Sequence, residues 1–265
     1  MKKSFILTVS FLFIIGLYVN SEKKQADSNP DFCAMLMKAQ GEVFFKAESK
    51  KGWLKAKQGM GFTAGDTIKT GSKSLAMIVL EGGTVFKIEQ LSEIKINMLN
   101  IKLSQNRSET ELEMGNKGAL LAHVNTPKKT KTQFNTKTPT GLVSVRGTGL
   151  SIEVKNEEET EVVVLEGRVI VKDFVQESGL PEKNDELLLM VLHEMSVKPN
   201  YAATVTKKGI SKPKKLSEET LAGKKKELEE LKAVSRETQS EWSKTTPEAR
   251  SQERQKIRNA VLSEK

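Results

Sequence analysis

The sequence predicts a mainly β domain, built as a sandwich or barrel, followed by a charged helical tail. Between residues 38 and 208, at least nine short apolar or alternating segments recur, with turn residues between them. Short strands at regular spacing are typical of all-β sandwiches and barrels. After residue 208 the sequence changes to Lys- and Glu-rich segments with helical periodicity, which predict a charged helical tail over residues 209–265.

The N-terminus has the pattern of a secretory signal peptide. A short basic region precedes 15 mostly apolar residues, Phe5–Val19, and Val19 and Ser21 stand at the small-x-small positions before a cut. The run is shorter than the ~20 residues of a spanning helix. We therefore predict a signal peptide over residues 1–21, an extracytoplasmic location in the periplasm or cell envelope, and a linker over residues 22–37. An uncleaved anchor, with membrane association through this segment, is the alternative.

The single cysteine, Cys33, excludes an intramolecular disulfide. It lies well past the apolar run, which argues against a lipidation site. Because no second Cys or His motif accompanies it, we predict a stray or partly buried thiol rather than a reactive one.

The predicted β-domain, residues 38–208, alternates strands with turns. Two segments are predicted as hairpins because glycine supplies positive φ in a tight turn: residues 75–90 around Glu81-Gly82-Gly83, and residues 160–173 around Glu166-Gly167. Residues 183–195 could be a buried strand or a helix, and residues 194–208 resemble closing strands. The other predicted strands are residues 41–48, 92–99, 109–115, 118–124, 132–138, 141–147 and 149–155.

Two helices are predicted in the tail. Ser217 can cap the first, with Glu218 and Glu219 in its first turn, and Thr246 with Pro247 can begin the second. The apolar face of the first helix comprises Leu221, Leu228, Leu231 and Val234. The second helix has a thin apolar face of Ala249, Ile257, Val261 and Leu262, so it could dock weakly, pair with another chain or fray.

The net charge of +9 is concentrated in the tail, because residues 207–265 carry a net +6 and residues 4–206 a net +1. With only 14 aromatic residues, the chain lacks the composition of a base-stacking surface, and no nucleic-acid partner is predicted. The tail lysines could contact an anionic phospholipid or polymer of the envelope.

Catalytic and metal-ligating patterns are missing from the sequence. His123 and His193 each lie inside an apolar run, and such histidines are more often satisfied sheet residues than ligands. One cysteine and two isolated histidines provide no metal-ligand spacing. The carboxylates of residues 157–160 are consecutive, which favours a solvated turn over a cation site. We therefore predict no catalytic, cofactor or metal site.

The stretch from Phe134 to Val154 carries an arginine in a Gly-Thr turn. Arg146-Gly147-Thr148-Gly149 could bind an anion, but a phosphate site of this kind needs a helix N-terminus behind the loop, and here a strand follows. We predict a structural corner, in which Arg146 hydrogen-bonds strand-end carbonyls or a carboxylate.

The segment from about Gly41 to Lys172 resembles the FecR domain family. The blocks follow the family's order at residues 41–43, 52–88, 112–120, 134–154 and 160–173. The motif and structural positions are Gly65, Asp66, Thr70, Gly71, Gly82, Gly83, Thr138, Pro139, Arg146, Gly147, Thr148, Glu166 and Gly167.

The resemblance implies a non-catalytic, extracytoplasmic β-domain that is jelly-roll-like in outline, a β-sandwich or β-roll. The best-known members carry a signal from an outer-membrane receptor to a sigma factor through a cytoplasmic N-terminal segment. Only Met1–Ser4 precede the apolar run here, so direct signalling through such a segment is not expected.

We therefore expect an exported, non-catalytic envelope protein whose β-domain binds an envelope protein or glycan. The alternative is a periplasmic sensor or regulatory component of a signal-transduction system. An enzyme acting on an envelope polymer has the least support, because it would need a positioned nucleophile or carboxylate pair.

Overall fold

A computed structural model describes residues 32–145, 147–174 and 191–264, which form two large β-sheets and two C-terminal helices. Strands are numbered in chain order. Sheet 1 contains, in spatial order, β18 (Gly209–Ile210), β17 (Tyr201–Thr206), β14 (Glu159–Glu166), β13 (Gly149–Asn156), β10 (Gly118–His123), β7 (Val85–Ile88), β6 (Leu75–Leu80), β1 (Ala34–Gln40) and β4 (Gly61–Phe62), with β19 (Lys214–Lys215) also paired to β17. Sheet 2 contains β16 (Val191–Val197), β15 (Val169–Phe174), β12 (Gly141–Val145), β11 (Lys131–Thr138), β9 (Arg107–Met114), β8 (Glu93–Lys102), β5 (Thr67–Thr70), β2 (Val43–Lys46) and β3 (Leu54–Lys55).

The chain passes repeatedly between the two sheets. In each sheet, the early strands of the chain lie at one end and the late strands at the other. All described strand pairs are antiparallel except β9 with β11. Between these two strands the chain crosses to sheet 1 for the single strand β10 and returns, so β11 enters sheet 2 in the direction of β9. The predicted fold class, mainly β with a helical C-terminal region, is confirmed.

One predicted hairpin is correct and the other is wrong. The segment 75–90 forms the hairpin β6–β7, in which Val79 lies opposite Val85. In contrast, β14 belongs to sheet 1 and β15 to sheet 2, so Glu166-Gly167 is a corner between the sheets. Gly167 has a φ of +70°, and a tight hairpin and a tight corner both use such a residue, so the local sequence does not separate them.

The β-structure extends beyond both predicted boundaries. Strand β1 begins at Ala34, inside the predicted linker, where pairing with β6 buries Ala34 and Leu36. At the other end, β18 and β19 lie in the predicted tail. The end of the ambiguous segment 183–195 is a strand from Val191, while residues 183–190 lie outside the described residues, as do the predicted signal peptide and most of the predicted linker.

The main core lies between the inner faces of the two sheets. Phe45 of sheet 2 meets Phe62 of sheet 1, and Phe134 of sheet 2 meets Phe86 of sheet 1, each with ring centroids 6.2 Å apart. The alternating apolar residues of each strand supply this face, as the sequence period predicts.

Both predicted helices form and dock on the sheets. Helix α1 (Glu218–Trp242) packs Leu228 and Leu231 on the outer face of sheet 1, against apolar residues of β6, β7, β10 and β14. Helix α2 (Pro247–Ser263) packs beside β3 and β4, where Val261 joins the main core. The predicted caps are present, since Ser217 Oγ accepts from the Thr220 amide and Thr246 Oγ1 from the Ala249 amide.

Neither helix in the described ranges combines the length and apolar character needed to cross a membrane.

Candidate functional site

Three arginines of α2 are spaced four residues apart and face the β-domain. Arg250, Arg254 and Arg258 therefore lie on one side of the helix. Their side chains are only 11%, 3% and 8% exposed, and they meet two buried carboxylates, Asp66 and Glu81. We call these five residues the helix-docking seam.

The innermost pair of the seam joins Arg258 to Asp66. Arg258 Nη1 donates to Asp66 Oδ2 at 2.5 Å and Nη2 donates to Oδ1 at 2.8 Å, so the pair is bidentate. The Thr63 amide donates to the same carboxylate at 2.9 Å. The guanidinium also lies 5.7 Å and 5.3 Å from the ring centroids of Phe32 and Phe45. The charge is thus paired, hydrogen-bonded and enclosed by aromatic rings, as a buried ion requires.

Glu81 forms ion pairs with the other two arginines, Arg250 and Arg254. Arg250 binds both of its oxygens, from Nε at 2.9 Å and Nη2 at 2.8 Å, and Arg254 Nη1 lies 2.9 Å from Oε1. Arg254 also donates to the Phe32 carbonyl at 2.6 Å. Trp242, the last residue of α1, covers both guanidiniums, at 5.3 Å and 4.4 Å from its ring. Burial lowers the pKa of Arg254, with Glu81 opposing the shift.

The turn that carries Glu81 also contacts α1. Gly82 and Gly83 have φ of +89° and +86°, which lets the turn stay tight. Ser235 Oγ donates to the Gly83 carbonyl at 2.6 Å, and the Gln239 side chain lies directly against Gly83. The predicted hairpin turn is therefore the point where both helices attach.

Other motif positions hold the strands around this seam. The Gly65 amide donates to the Ile96 carbonyl at 2.7 Å, and its φ of +90° turns the chain into Asp66. Thr70 Oγ1 donates to the Glu89 carbonyl at 2.6 Å, and the Gly71 amide donates to the Glu42 carbonyl at 2.8 Å. These contacts join adjacent strands and fix the loop that presents Asp66.

The Thr-Pro turn connects β11 and β12. Thr138 Oγ1 accepts from the Gly141 amide at 3.1 Å, and buried Thr140 donates to Thr160 at 2.8 Å. Pro139 lies half-buried between them. This turn is a true hairpin, because β11 and β12 pair directly.

Two corners between the sheets lie side by side beneath α1. Gly147, with φ of +62°, and Thr148 form one corner, and Gly167 packs against Thr148 in the other. Lys232 of α1 donates to Glu166 at this corner. The predicted Gly-Thr corner thus connects strands of different sheets. Arg146 lies outside the described residues, and its role stays a prediction.

Helix α1 packs closely against the first corner. Leu228 lies against Gly149, where a Cβ would come within 2.3 Å of Leu228 Cδ2. A side chain at Gly149 would therefore force the Leu228 side chain to move.

The two histidines differ in their surroundings. His123 is half-buried under α1, and its Nδ1 has no hydrogen-bond partner among the described residues. Burial lowers its pKa, as does the charge of Lys232. His193 Nδ1 lies 3.0 Å from buried Asp173 Oδ2, although the His193 side chain is 68% exposed, so the predicted satisfied sheet residue is found at His193 and not at His123.

The remaining predictions on charged and thiol groups concern Glu157, Glu158 and Cys33. Glu157 and Glu158 form an exposed turn between β13 and β14, as predicted. Cys33 is buried, and its Sγ donates to the Ile101 carbonyl at 3.7 Å. In the parts of the chain that the structure describes, no three His, Cys, Asp or Glu residues are grouped as metal ligands would be. The carboxylates of the seam are each bound by guanidinium, so the arrangement attaches helices to sheets.

Sequence reasoning missed the seam because arginines in a charged helix normally indicate a solvated face. The sequence feature that pointed to the seam was the spacing of four residues between the arginines. Many exposed helices have charged residues at the same spacing, so this spacing does not predict burial.

Comparisons with known proteins bear on the β-domain. A family model described as FecR protein matches residues 66–170. Two crystal structures of a "putative anti-sigma factor" from Parabacteroides distasonis ATCC 8503 are each 20% identical to the chain, with a TM-score of 0.39. Each alignment covers 56% of this chain and 59% of that chain, so less than two thirds of the length of these proteins is matched. A search of curated proteins finds no match.

The match begins at Asp66 and includes Glu81, whereas α2, whose arginines bind these carboxylates, lies beyond its end. The predicted resemblance to the FecR domain family is thus confirmed over residues 66–170.

Proposed function

We propose that the chain is a non-catalytic regulatory component of signal transduction at the bacterial cell envelope. The observation that carries the proposal is the FecR match over residues 66–170, because the family resemblance implies regulatory rather than catalytic work. The predicted signal peptide supports an extracytoplasmic location for the β-domain. This is the alternative that the sequence left open, and the family match favours it over a binding module without a signalling role.

The architecture supports a role in which the FecR domain and its two helices act as one unit. The helix-docking seam joins the matched segment to α2 through buried ion pairs, and α1 attaches to the same Glu81-Gly82-Gly83 turn through Ser235. We infer that the regulatory partner is another envelope protein and that it meets this combined unit.

Transcript profiling of the source bacterium tests the proposal. Deletion of the gene should change a restricted set of transcripts, and the wild-type chain should restore them. The single variant Glu81→Gln, which removes the carboxylate that binds Arg250 and Arg254, should restore them less well at equal abundance. The matched control is Lys208→Gln/Lys212→Gln, which changes two exposed lysines far from the seam and should restore them fully.

Two results would overturn the proposal. Transcripts unchanged by the deletion would exclude a regulatory role. Turnover of an envelope polymer by the purified chain would replace it with an enzymatic one.

A further inference from the structure

One end of sheet 2 presents a basic and aromatic surface on its outer face. Lys46 of β2 and Lys69 of β5 both lie over the ring of Trp53, with Nζ 5.2 Å and 5.5 Å from its centroid. Trp53 is 36% exposed, which is high for so large an apolar side chain.

Strand register places two more lysines on the same face. Phe44 of β2 lies opposite both Lys55 of β3 and Lys69 of β5, and residues directly opposite share a face. Lys46 lies opposite Thr67, which in turn lies opposite Lys95 of β8. We call Lys46, Trp53, Lys55, Lys69 and Lys95 the lysine–tryptophan face.

The four lysines lack ion pairs among the described residues. Glu93 lies opposite Lys69 and Glu113 opposite Lys95, yet neither forms a salt bridge with that lysine. Glu113 instead approaches Lys137 at 3.7 Å. The surface therefore carries four lysine charges without a salt bridge, together with the carboxylate of Glu93, within four neighbouring strands, a width of roughly 15 Å at about 4.8 Å per strand.

Contact with the Trp53 indole also restrains the side chains of Lys46 and Lys69 before a ligand binds. An ammonium group over an aromatic face is attracted to it, so Lys46 and Lys69 are already restrained around Trp53. Restrained side chains lose less conformational entropy when a ligand binds.

The ligand that fits these groups is negatively charged and has a flat apolar face. We propose that the lysine–tryptophan face binds an anionic glycan, a chain of pyranose rings bearing carboxylate groups. The C–H face of a sugar ring can lie on the exposed part of Trp53 while its carboxylates meet the lysines. The inference rests on this face alone and does not depend on the proposed regulatory function.

The neighbouring strand argues against larger polyanions. Glu113 of β9 lies opposite Lys95, and Glu111 and Glu109 lie on the same outer face of sheet 2 further along β9, opposite Met98 and Asn100. A flat anionic membrane or a long nucleic acid crossing this face would meet these carboxylates. A short glycan segment can stay within the four basic strands.

Calorimetric titration of the full chain with oligomannuronate, a carboxylated glycan, tests the proposal. Binding is expected for the wild-type chain and should weaken as salt is raised, because the lysine contacts are screened. Trp53→Ala and Lys46→Gln/Lys69→Gln should each weaken binding by about tenfold or more, equivalent to about 1.4 kcal/mol. The matched control Lys208→Gln/Lys212→Gln, with the same charge change at exposed sites outside this face, should bind as the wild type does.

Neutral dextran, anionic phospholipid vesicles and a single-stranded oligonucleotide complete the test. The proposal expects each to bind at least about tenfold more weakly than oligomannuronate. It is overturned if oligomannuronate does not bind, if both face variants bind as the wild type does, or if vesicles or the oligonucleotide bind as tightly. Circular dichroism on each variant confirms that lost binding is not lost folding.

Discussion

Arg258 and Asp66, 192 residues apart in the chain, form a bidentate ion pair that is buried between α2 and the β-domain. The pair connects a helix for which the sequence left docking, pairing with another chain and fraying open to a loop that carries a family motif. Because both charges have left water, each is stable only while the other is present.

Removal of one charge from this pair should strongly destabilise the protein. We expect Asp66→Asn or Arg258→Met to lower the free energy of unfolding by about 3–5 kcal/mol, since each leaves an uncompensated buried partner. The double variant should lose less than the sum of the two, because neither charge is then left alone. Urea denaturation of the four proteins measures this coupling, and additive losses would contradict it.

Glu81 should matter far more than an exposed glutamate in a comparable pair. Glu81→Gln leaves Arg250 and Arg254 without their carboxylate and should cost about 3 kcal/mol. Glu264, paired with Lys57 at the surface, is the matched control, and Glu264→Gln should cost less than about 1 kcal/mol. Equal melting temperatures for the two variants would show that the seam carries no stability.

Acidification should loosen the contact between α1 and sheet 1 through His123. Its pKa is lowered by burial, so the unfolded chain takes up this proton at a higher pH than the folded chain. Stability from this group is present above the unfolded pKa of about 6.5 and declines as pH falls below it. The groups facing the ring are Lys232, Arg236, Glu166 and Glu229.

Melting temperature measured from pH 7.5 down to pH 5 tests this effect. His123→Gln should flatten the decline below about pH 6.5 relative to the wild type. Parallel curves for the two proteins would assign the decline to other groups.

Gly149 should tolerate a side chain only if Leu228 is shortened. A Cβ at Gly149 would overlap Leu228, so Gly149→Ala should cost about 1–3 kcal/mol through overpacking. Leu228→Ala alone should cost about 2–5 kcal/mol because it leaves a cavity. The double variant should lose less stability than the sum of the two single losses. Thermal denaturation of the four proteins measures this. Additive losses would show that the contact between Gly149 and Leu228 is unimportant.

Arg146 is predicted to stabilise the corner between β12 and β13. Arg146→Ala should lower the melting temperature, whereas Arg107→Ala, at an exposed arginine, should change stability by less than about 0.5 kcal/mol. If Arg146→Ala left stability unchanged while abolishing partner binding, the structural interpretation would be wrong.

The strands and helix starts could be predicted from sequence because their causes are local. Alternation in β8 and β11, and the caps Ser217 and Thr246, depend on residues within a few positions of one another. The pairing of the strands was harder to predict. Glu81-Gly82-Gly83 closes a hairpin and Glu166-Gly167 a corner, although both offer glycine with positive φ.

The sequence by itself determined that this is a strand-rich domain resembling the FecR family, followed by a charged helical tail, since periodicity and ordered motifs are properties of the chain alone. Only the tertiary structure decided which strands share a sheet and that the tail docks. The physical reason is that a charged group can be buried only when an oppositely charged partner is buried beside it. Arg254 and Arg258 are buried because they form ion pairs with Glu81 and Asp66, which are distant in sequence.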